Sequence, residues 1–344
     1  MLSQAKRFLE EKAPKKLRDW YFTWIPSQNT VFSPDRCCLT VSEDKLIFLH
    51  ARKTGPKAEL VYSEIFAYER LQELQGILAE VVQSRGLKGV RTTWILRPEH
   101  YQLLQTEALP VAPSEFQAAI RFKIKELIHF PMQDAVIDSF PMPAAKLATS
   151  LNTIMLVVAR LSVLKPIADQ INASGLTLTT VDIQELCFRN LTALFEKDEK
   201  SSALIFLRED KSFLIVTSQQ QLYFSRYLDV NLKSLRAAQE GPDSQAALDA
   251  LVNTAALDIQ RSFDYYQSQW RLPEPARIFL ETQRACPIDM QTLLSQRLNV
   301  AVNTIDLSPY FDNRAGLDLK TEGFFLPLLG GILREWEQSY VAAH

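Results

Sequence analysis

The sequence predicts an α/β chain made of two copies of one unit, each a meander of three strands followed by a crossover helix and a fourth strand. Three observations predict it. Strand-like and helix-like periodicities follow one another in that order twice, a polar charge run separates the two occurrences, and 344 residues are enough for two domains. Hydrophobic residues make up 47% and charged residues 23%, the balance of a chain that buries a core rather than one that stays disordered or is stapled by disulfides.

The first unit follows a basic start. Arg36–Val41 and Lys45–Arg52 read as strands around the turn Ser42-Glu43-Asp44, and Ala58–Tyr62 reads as a third. Between Tyr68 and Ser84, Leu71, Leu74, Ile77, Leu78 and Val81 recur at helical spacing; Gly86 and Gly89 end that helix before the strand Val90–Leu96. A middle block then reads as an insertion. Ser114 and Gln117 have the spacing of a capping box, so a helix is expected from there to Ile128, stopped by Phe130-Pro131 because proline cannot continue the ladder. Ala135–Phe140 and Thr153–Ala159 are expected strands, Leu161–Ala173 a helix stopped by Gly175, and Thr177–Ile183 a strand.

Glu196-Lys197-Asp198-Glu199-Lys200 followed by two serines is the expected boundary, being polar and without periodicity. Beyond it, Ala203–Leu207, Ser212–Thr217 and Gln221–Tyr227 form a second meander with short polar turns. A long helix from Ser244 to Gln269 aligns Leu248, Leu251, Val252, Ala255, Ile259, Phe263 and Tyr266, and the strand Arg277–Leu280 completes the repeat. Two such units make an actin-like, ribonuclease H-like two-domain fold. The expected organisation is a basic amphipathic segment at 1–35, a first domain at 36–195 carrying an inserted subdomain at about 91–162, and a second domain at 196–344 with a helical subdomain at about 231–275.

Composition excludes several function classes. Lys and Arg number 38 against 40 Asp and Glu, a net charge of -2, so the overall charge of a nucleic-acid binder is missing. Glycine occurs 10 times, under half the usual share of about 7%, which leaves little for Gly-rich phosphate loops. Cys37, Cys38, Cys187 and Cys286 have no metal or disulfide-framework spacing and read as free thiols in a reducing compartment. Glu126 and His129 have the E-x-x-H spacing of a carboxylate-bridged metal helix but no second copy, so no metal is expected. There is no G-x-S-x-G, H-E-x-x-H or Walker loop. The charged start with Pro14 is unlike a signal peptide, and the apolar stretch Gly323–Leu333 is far short of the ~20 residues of a membrane span. Within that start, Leu17, Trp20, Tyr21 and Trp24 share one helical face beside Lys15, Lys16 and Arg18. This face suits either contact with a membrane surface or partner, or packing on the chain's own first sheet.

Two segments carry a family resemblance: Pro113-Ser114-Glu115-Phe116 through Ile128-His129-Phe130-Pro131 to Asp134-Ala135-Val136-Ile137-Asp138, and Gln260-Arg261-Ser262-Phe263-Asp264-Tyr265-Tyr266. With Gly330-Gly331-Ile332-Leu333-Arg334-Glu335, they resemble the PilM-like proteins of type IV pilus machines, and among these the MshI proteins of MSHA pili, from about Cys37 to Trp336. The resemblance implies an actin-like fold with one small subdomain replaced by the insert. It also implies a cytoplasmic position under an inner-membrane assembly platform and a PilN-like membrane protein as partner. By the same resemblance the partner groove lies at the insert, with Phe116, Ile120, Ile124, Phe130, Pro131 and Ile137 as its candidate residues.

PilM binds ATP through three loops, and this chain departs from all three. Cys38-Leu39-Thr40-Val41-Ser42 stands where the family has G-I-D-I-G, Phe206-Leu207-Arg208 where it has D-I-G, and Leu280-Glu281-Thr282-Gln283 where it has L-S-G-G. Glycine lets backbone N–H groups approach phosphate oxygens, and an acidic residue helps hold hydrated magnesium. Thr40, Ser42, Phe206, Arg208, Glu281, Thr282 and Gln283 supply neither combination, so no ATP or magnesium cofactor is expected, and Arg208 is expected to lie solvated on a hairpin turn. The expected function is a non-catalytic scaffold. An ATP-binding PilM-like ATPase and a GspL-like cytoplasmic component of type II secretion are the alternatives. A metal-dependent ribonuclease H-like hydrolase would need acids at the positions of Thr40 and Phe206.

Overall fold

The computed structural model describes residues 33–109, 111–112, 115–143, 153–196, 200–241 and 243–341. The basic segment before residue 33, Ser114 and residues 197–199 of the charge run lie outside them. The first repeat consists of β1 (Asp35–Val41), β2 (Lys45–Arg52), β3 (Ala58–Ala67), α1 (Leu74–Arg85) and β4 (Arg91–Leu96). Next come β5 (Tyr101–Glu107), α2 (Phe116–Ile124), β6 (Ala135–Pro141), β7 (Thr153–Arg160), α3 (Leu161–Ala173), β8 (Thr177–Ile183) and α4 (Gln184–Ala193). The second repeat consists of β9 (Ser202–Leu207), β10 (Ser212–Ser218), β11 (Gln221–Leu228), α5 (Leu232–Glu240), α6 (Ser244–Trp270) and β12 (Arg277–Thr282). Then follow α7 (Met290–Leu298), the short β13 (Val302–Asn303) and β14 (Phe311–Asp312), and α8 (Leu326–Val341).

The sheets carry the duplication. Their strand orders are β14-β3-β2-β1-β4-β8 and β11-β10-β9-β12-β13, with a third sheet β5-β7-β6. In each large sheet the fourth strand of the repeat runs parallel to the first: Leu39 faces Trp94 across β1 and β4, and Ile205 faces Leu280 across β9 and β12. Parallel pairing requires a crossover, which α1 and α6 provide. Every residue of β9 and β10 is buried, as strands covered on both faces should be.

The chain divides into two compact units. One takes the described parts of Met1–Phe48, Ile65–Pro141 and Leu151–Val181; the other takes those of Leu49–Glu64, Met142–Ser150 and Asp182–His344. The division falls at 181/182, where the sequence suggested 195/196, because α4 packs on α8 and on β10, both in the second unit. The insert also starts later than about 91, since β4 belongs to the first sheet, and it gains β5 as its first strand.

Helix α2 ends at Ile124, short of the expected Ile128. Arg121 explains the early stop. Its guanidinium donates to Met132 O (3.0 Å) and Ala135 O (3.1 Å), drawing the Phe130-Pro131 turn back across the helix. Asp134 then accepts from Ser162 N (2.7 Å) and Ser162 Oγ (2.7 Å), fastening that turn to the start of α3.

In the second unit α8 lies directly on α4. A Cβ added at Gly330 would sit 2.0 Å from the Cys187 carbonyl oxygen, so only glycine permits this approach. Asn190 Nδ2 donates to Gly330 O (2.9 Å), and Arg334 pairs with the buried Asp182 (2.6 Å). Gly330→Ala should therefore cost about 3 kcal/mol, since the obstacle is backbone and cannot rotate away. Gly76→Ala, with open space around its Cβ inside α1, should be neutral or stabilise by up to about 1 kcal/mol. Urea unfolding of the two variants checks the opposite signs.

Candidate functional site

At the β1–β2 turn the backbone is bound to itself. Ser42 N donates to Lys45 O (2.8 Å), Lys45 N donates to Ser42 Oγ (3.0 Å), and that hydroxyl donates to Asp44 Oδ1 (3.0 Å). The Tyr68 phenol donates to Ser42 O; burial, reinforced by the Asp44 charge, pushes its pKa up to about 12, so it stays a protonated donor. Thr40 is buried within β1. A phosphate-binding nest needs successive free N–H groups turned outward, whereas the amides of Ser42 and Lys45 are spent inside the turn.

The β9–β10 turn is closed as well. Phe206, where a magnesium-binding acid would stand, is buried in an aromatic cluster with Phe188 (ring centroids 4.7 Å apart) and Phe213 (5.7 Å). Arg208 is 2% exposed, which corrects the expectation of a solvated side chain. The turn is covered because Arg208 N donates to Ser212 Oγ (3.1 Å), while Arg208 O accepts from Leu232 N (2.7 Å) at the start of α5. That helix is held by a capping box of Asn231 and Ser234.

The third segment is joined to the second. Gln283 N donates to Leu207 O (2.7 Å), and Gln283 Oε1 accepts from Glu209 N (3.1 Å). A Cβ at Gly323 would meet Thr282 O at 1.8 Å, so the chain entering α8 lies against Thr282. Glu281 is 8% exposed, and its carboxylate accepts from Ile305 N. It lines a cleft of about 1110 Å³ with Leu280, Met290 and Leu317. Burial pushes the Glu281 carboxyl up to about 7, with the Ile305 amide opposing the shift. Among the described residues, no three of His, Cys, Asp or Glu gather where they could hold a metal.

The six insert residues separate into buried and accessible. Ile120 and Ile124 are fully buried in the insert's own core with Ile128, Leu156 and Val158, so they hold the insert together and cannot serve as contact anchors. Phe116, Phe130 and Ile137 are partly buried against that core, with Phe130 under the Arg160 guanidinium (4.8 Å to the ring centroid). Pro131 is exposed. Helical spacing alone does not tell the inner face of α2 from the outer one. The most accessible apolar groups of the insert are Phe122, 85% exposed, and Leu127, 52% exposed; its place off the Ile120/Ile124 face was the sequence signal for Phe122.

The duplicated topology is that of the actin-like fold. Among solved structures the chain is similar to the PilM-PilN type IV pilus biogenesis complex, with 15% identity, 87% of this chain and 98% of that chain covered, and a TM-score of 0.65. It is also similar to ethanolamine utilization protein EutJ from Carboxydothermus hydrogenoformans (8% identity, 89% and 91% covered, TM-score 0.46). A third is the cytoplasmic domain of EpsL, an inner-membrane component of the type II secretion system of Vibrio cholerae (12% identity, 76% and 94% covered, TM-score 0.43). At these identities the likeness is one of fold. No protein-family model matches the chain, and no curated protein is similar to it in sequence.

The buried acid gives a pH signature. A carboxyl raised in the fold makes the native state bind a proton that the unfolded chain releases. Its stabilising effect is complete below about pH 4.5 and is lost as pH rises through about 7. Glu281→Gln, which keeps the acceptor for Ile305 N, should match the parent near pH 4.5 and exceed it by roughly 2–3 kcal/mol at pH 8. Urea titrations at the two pH values check this.

Proposed function

We propose that the chain is a non-catalytic, actin-fold scaffold on the cytoplasmic face of an inner-membrane assembly platform, that of a type IV pilus of the MSHA type. Its partner in this reading is the cytoplasmic segment of a PilN-like membrane protein. The observation that carries the reading is the state of the three segments where an actin-like ATPase holds nucleotide. The Ser42 turn is bonded to itself, Phe206 is part of an aromatic core, and Thr282 lies under Gly323. These residues do not fit Mg-ATP, so no step of the function is routed through it.

The fold shared with the PilM of a PilM-PilN complex supports the choice of partner, as do the two resembling segments, one of which forms the insert's helix and turn. Among the described residues no helix is long and apolar enough to cross a membrane, so in this reading the platform is reached through the partner. The insert provides the contact through its accessible apolar groups, Phe122 and Leu127 foremost.

The test is fluorescence anisotropy with a labelled peptide of the cytoplasmic segment of the PilN-like protein from the same organism. Binding is expected, with equal affinity with and without millimolar Mg-ATP. Phe122→Asp with Leu127→Asp should weaken it about thirtyfold, on the order of 2 kcal/mol, with an unchanged melting temperature because both side chains are exposed. Undiminished binding by that variant would remove the insert from the interface, and absence of binding by the parent chain would remove the partner.

A further inference from the structure

We propose that strand β11 pairs edge to edge with β11 of a second copy of this chain, antiparallel and two-fold symmetric about Ser225. This inference is independent of the pilus reading. The duplicated topology points to that edge. In the first sheet the third strand of the repeat, β3, is covered by β14: Phe311 faces Ala58, Asp312 faces Glu59, and Ala58 N donates to Tyr310 O (2.9 Å). Its counterpart β11 ends the second sheet, and among the described residues no strand lies beyond it. The other sheet ends are blunted. Strands β13 and β14 are two residues long; Leu178 N on β8 donates to Asn172 Oδ1 (3.0 Å), and Glu107 O on β5 accepts from Lys123 Nζ (3.3 Å). On β6, Ser139 N donates to Asp138 Oδ1 (2.8 Å) while Ala135 O accepts from Arg121 (3.1 Å). Strand β11 spans eight residues without proline or lysine, and Arg226 and Tyr227 are exposed on it while β10 beside it is wholly buried.

The side chains of β11 make the edge complementary to itself. A two-fold axis normal to a sheet maps each face onto itself, and side chains alternate between faces, so two identical antiparallel strands must centre on a residue rather than between two. Centred on Ser225, the pairing sets Phe224 of each copy opposite Arg226 of the other, on a shared face. That face is the one toward α6. There the half-buried Phe224 stacks on Tyr265 of α6, with 5.4 Å between ring centroids, and Tyr265 is 41% exposed. Each copy therefore offers an accessible aromatic pair and, two residues along the strand, an exposed guanidinium; the cation–aromatic contact is made twice. Ser225, small and carrying a hydroxyl that both donates and accepts, meets its own image without a clash of charge. Centring on Arg226 would instead bring two guanidinium groups together. The paired stretch is short, which suits a dimer of micromolar affinity rather than an obligate one.

The test is sedimentation velocity on the full chain and on its Ser225→Lys and Ser225→Glu variants, over a concentration series reaching about 200 μM, where a dimer of micromolar affinity is filled. The parent should pass from monomer to dimer within the series. Because position 225 faces its own copy, each variant should self-associate at least about tenfold more weakly through its like charges. An equimolar mixture of the two should dimerise again, since lysine then faces glutamate. Melting temperatures equal to the parent's show that the variants fold, and Arg226→Glu, at an exposed position, should weaken the dimer through the second contact. A parent that stays monomeric at the highest concentration would overturn the proposal. So would a dimer that persists in both Ser225 variants, which would place the interface elsewhere, and so would a mixture of the two that stays monomeric, which would exclude the two-fold centre at Ser225.

Discussion

The second unit depends on one close approach, that of Gly330 in α8 to the backbone of Cys187 in α4. With no Cβ at Gly330, the two helix backbones meet nearly atom to atom, and the spacing is fixed from both sides by Asn190 reaching Gly330 O and Arg334 reaching Asp182. Asn190 and Asp182 are buried, so breaking either hydrogen bond would leave a buried polar group without that partner, which is costly. Helix α4 in turn covers β10 through Phe188 and Thr192, the latter sharing a hydrogen bond with Thr217 (2.8 Å). The central sheet is therefore positioned from the C-terminal helix inward.

The same chain carries the second close approach, Gly323 against Thr282, one turn before α8 begins. Thr282 ends β12, and the next residue, Gln283, is bonded to the end of β9 through Leu207 O and Glu209 N. The ends of the two central strands, the β9–β10 turn and the approach to α8 thus form one continuous set of backbone contacts. At these strand ends protein groups engage the backbone N–H groups that a bound phosphate would need, and that is the physical argument behind the proposed scaffold reading.

Much of this fold could be read in the sequence where apolar periodicity was strong. Leu161–Ala173 and Thr177–Ile183 fall on the expected residues, and the eight repeat strands differ from expectation mainly at their ends. What escaped had a physical reason. Helix α4 buries Gln184, Glu185, Asn190 and Thr192 along with Cys187, Phe188 and Leu191, so its inner face is mixed and gives no clean apolar stripe. Strand β5 alternates weakly, with Gln102, Gln105 and Thr106 among its seven residues. The closed state of the three loops was legible in part, since missing glycines and acids are visible in sequence. The burial of Arg208 and Glu281 was not, because it arises from α5 and from residues 304–320, far away along the chain. At the insert, helical spacing sets Phe122 apart from Ile120 and Ile124 but does not say which face turns inward, so the sequence offers Ile120 and Ile124, which hold the core, as contact residues and passes over Phe122, which faces water.

The central claim is that residues of the chain itself fill the places where an actin-like ATPase holds its nucleotide. Isothermal titration calorimetry of Mg-ATP into the full chain tests it most directly. The account predicts no saturable heat at millimolar nucleotide. A micromolar dissociation constant, with the heat abolished by substitution of Arg208 or Thr282, would contradict it.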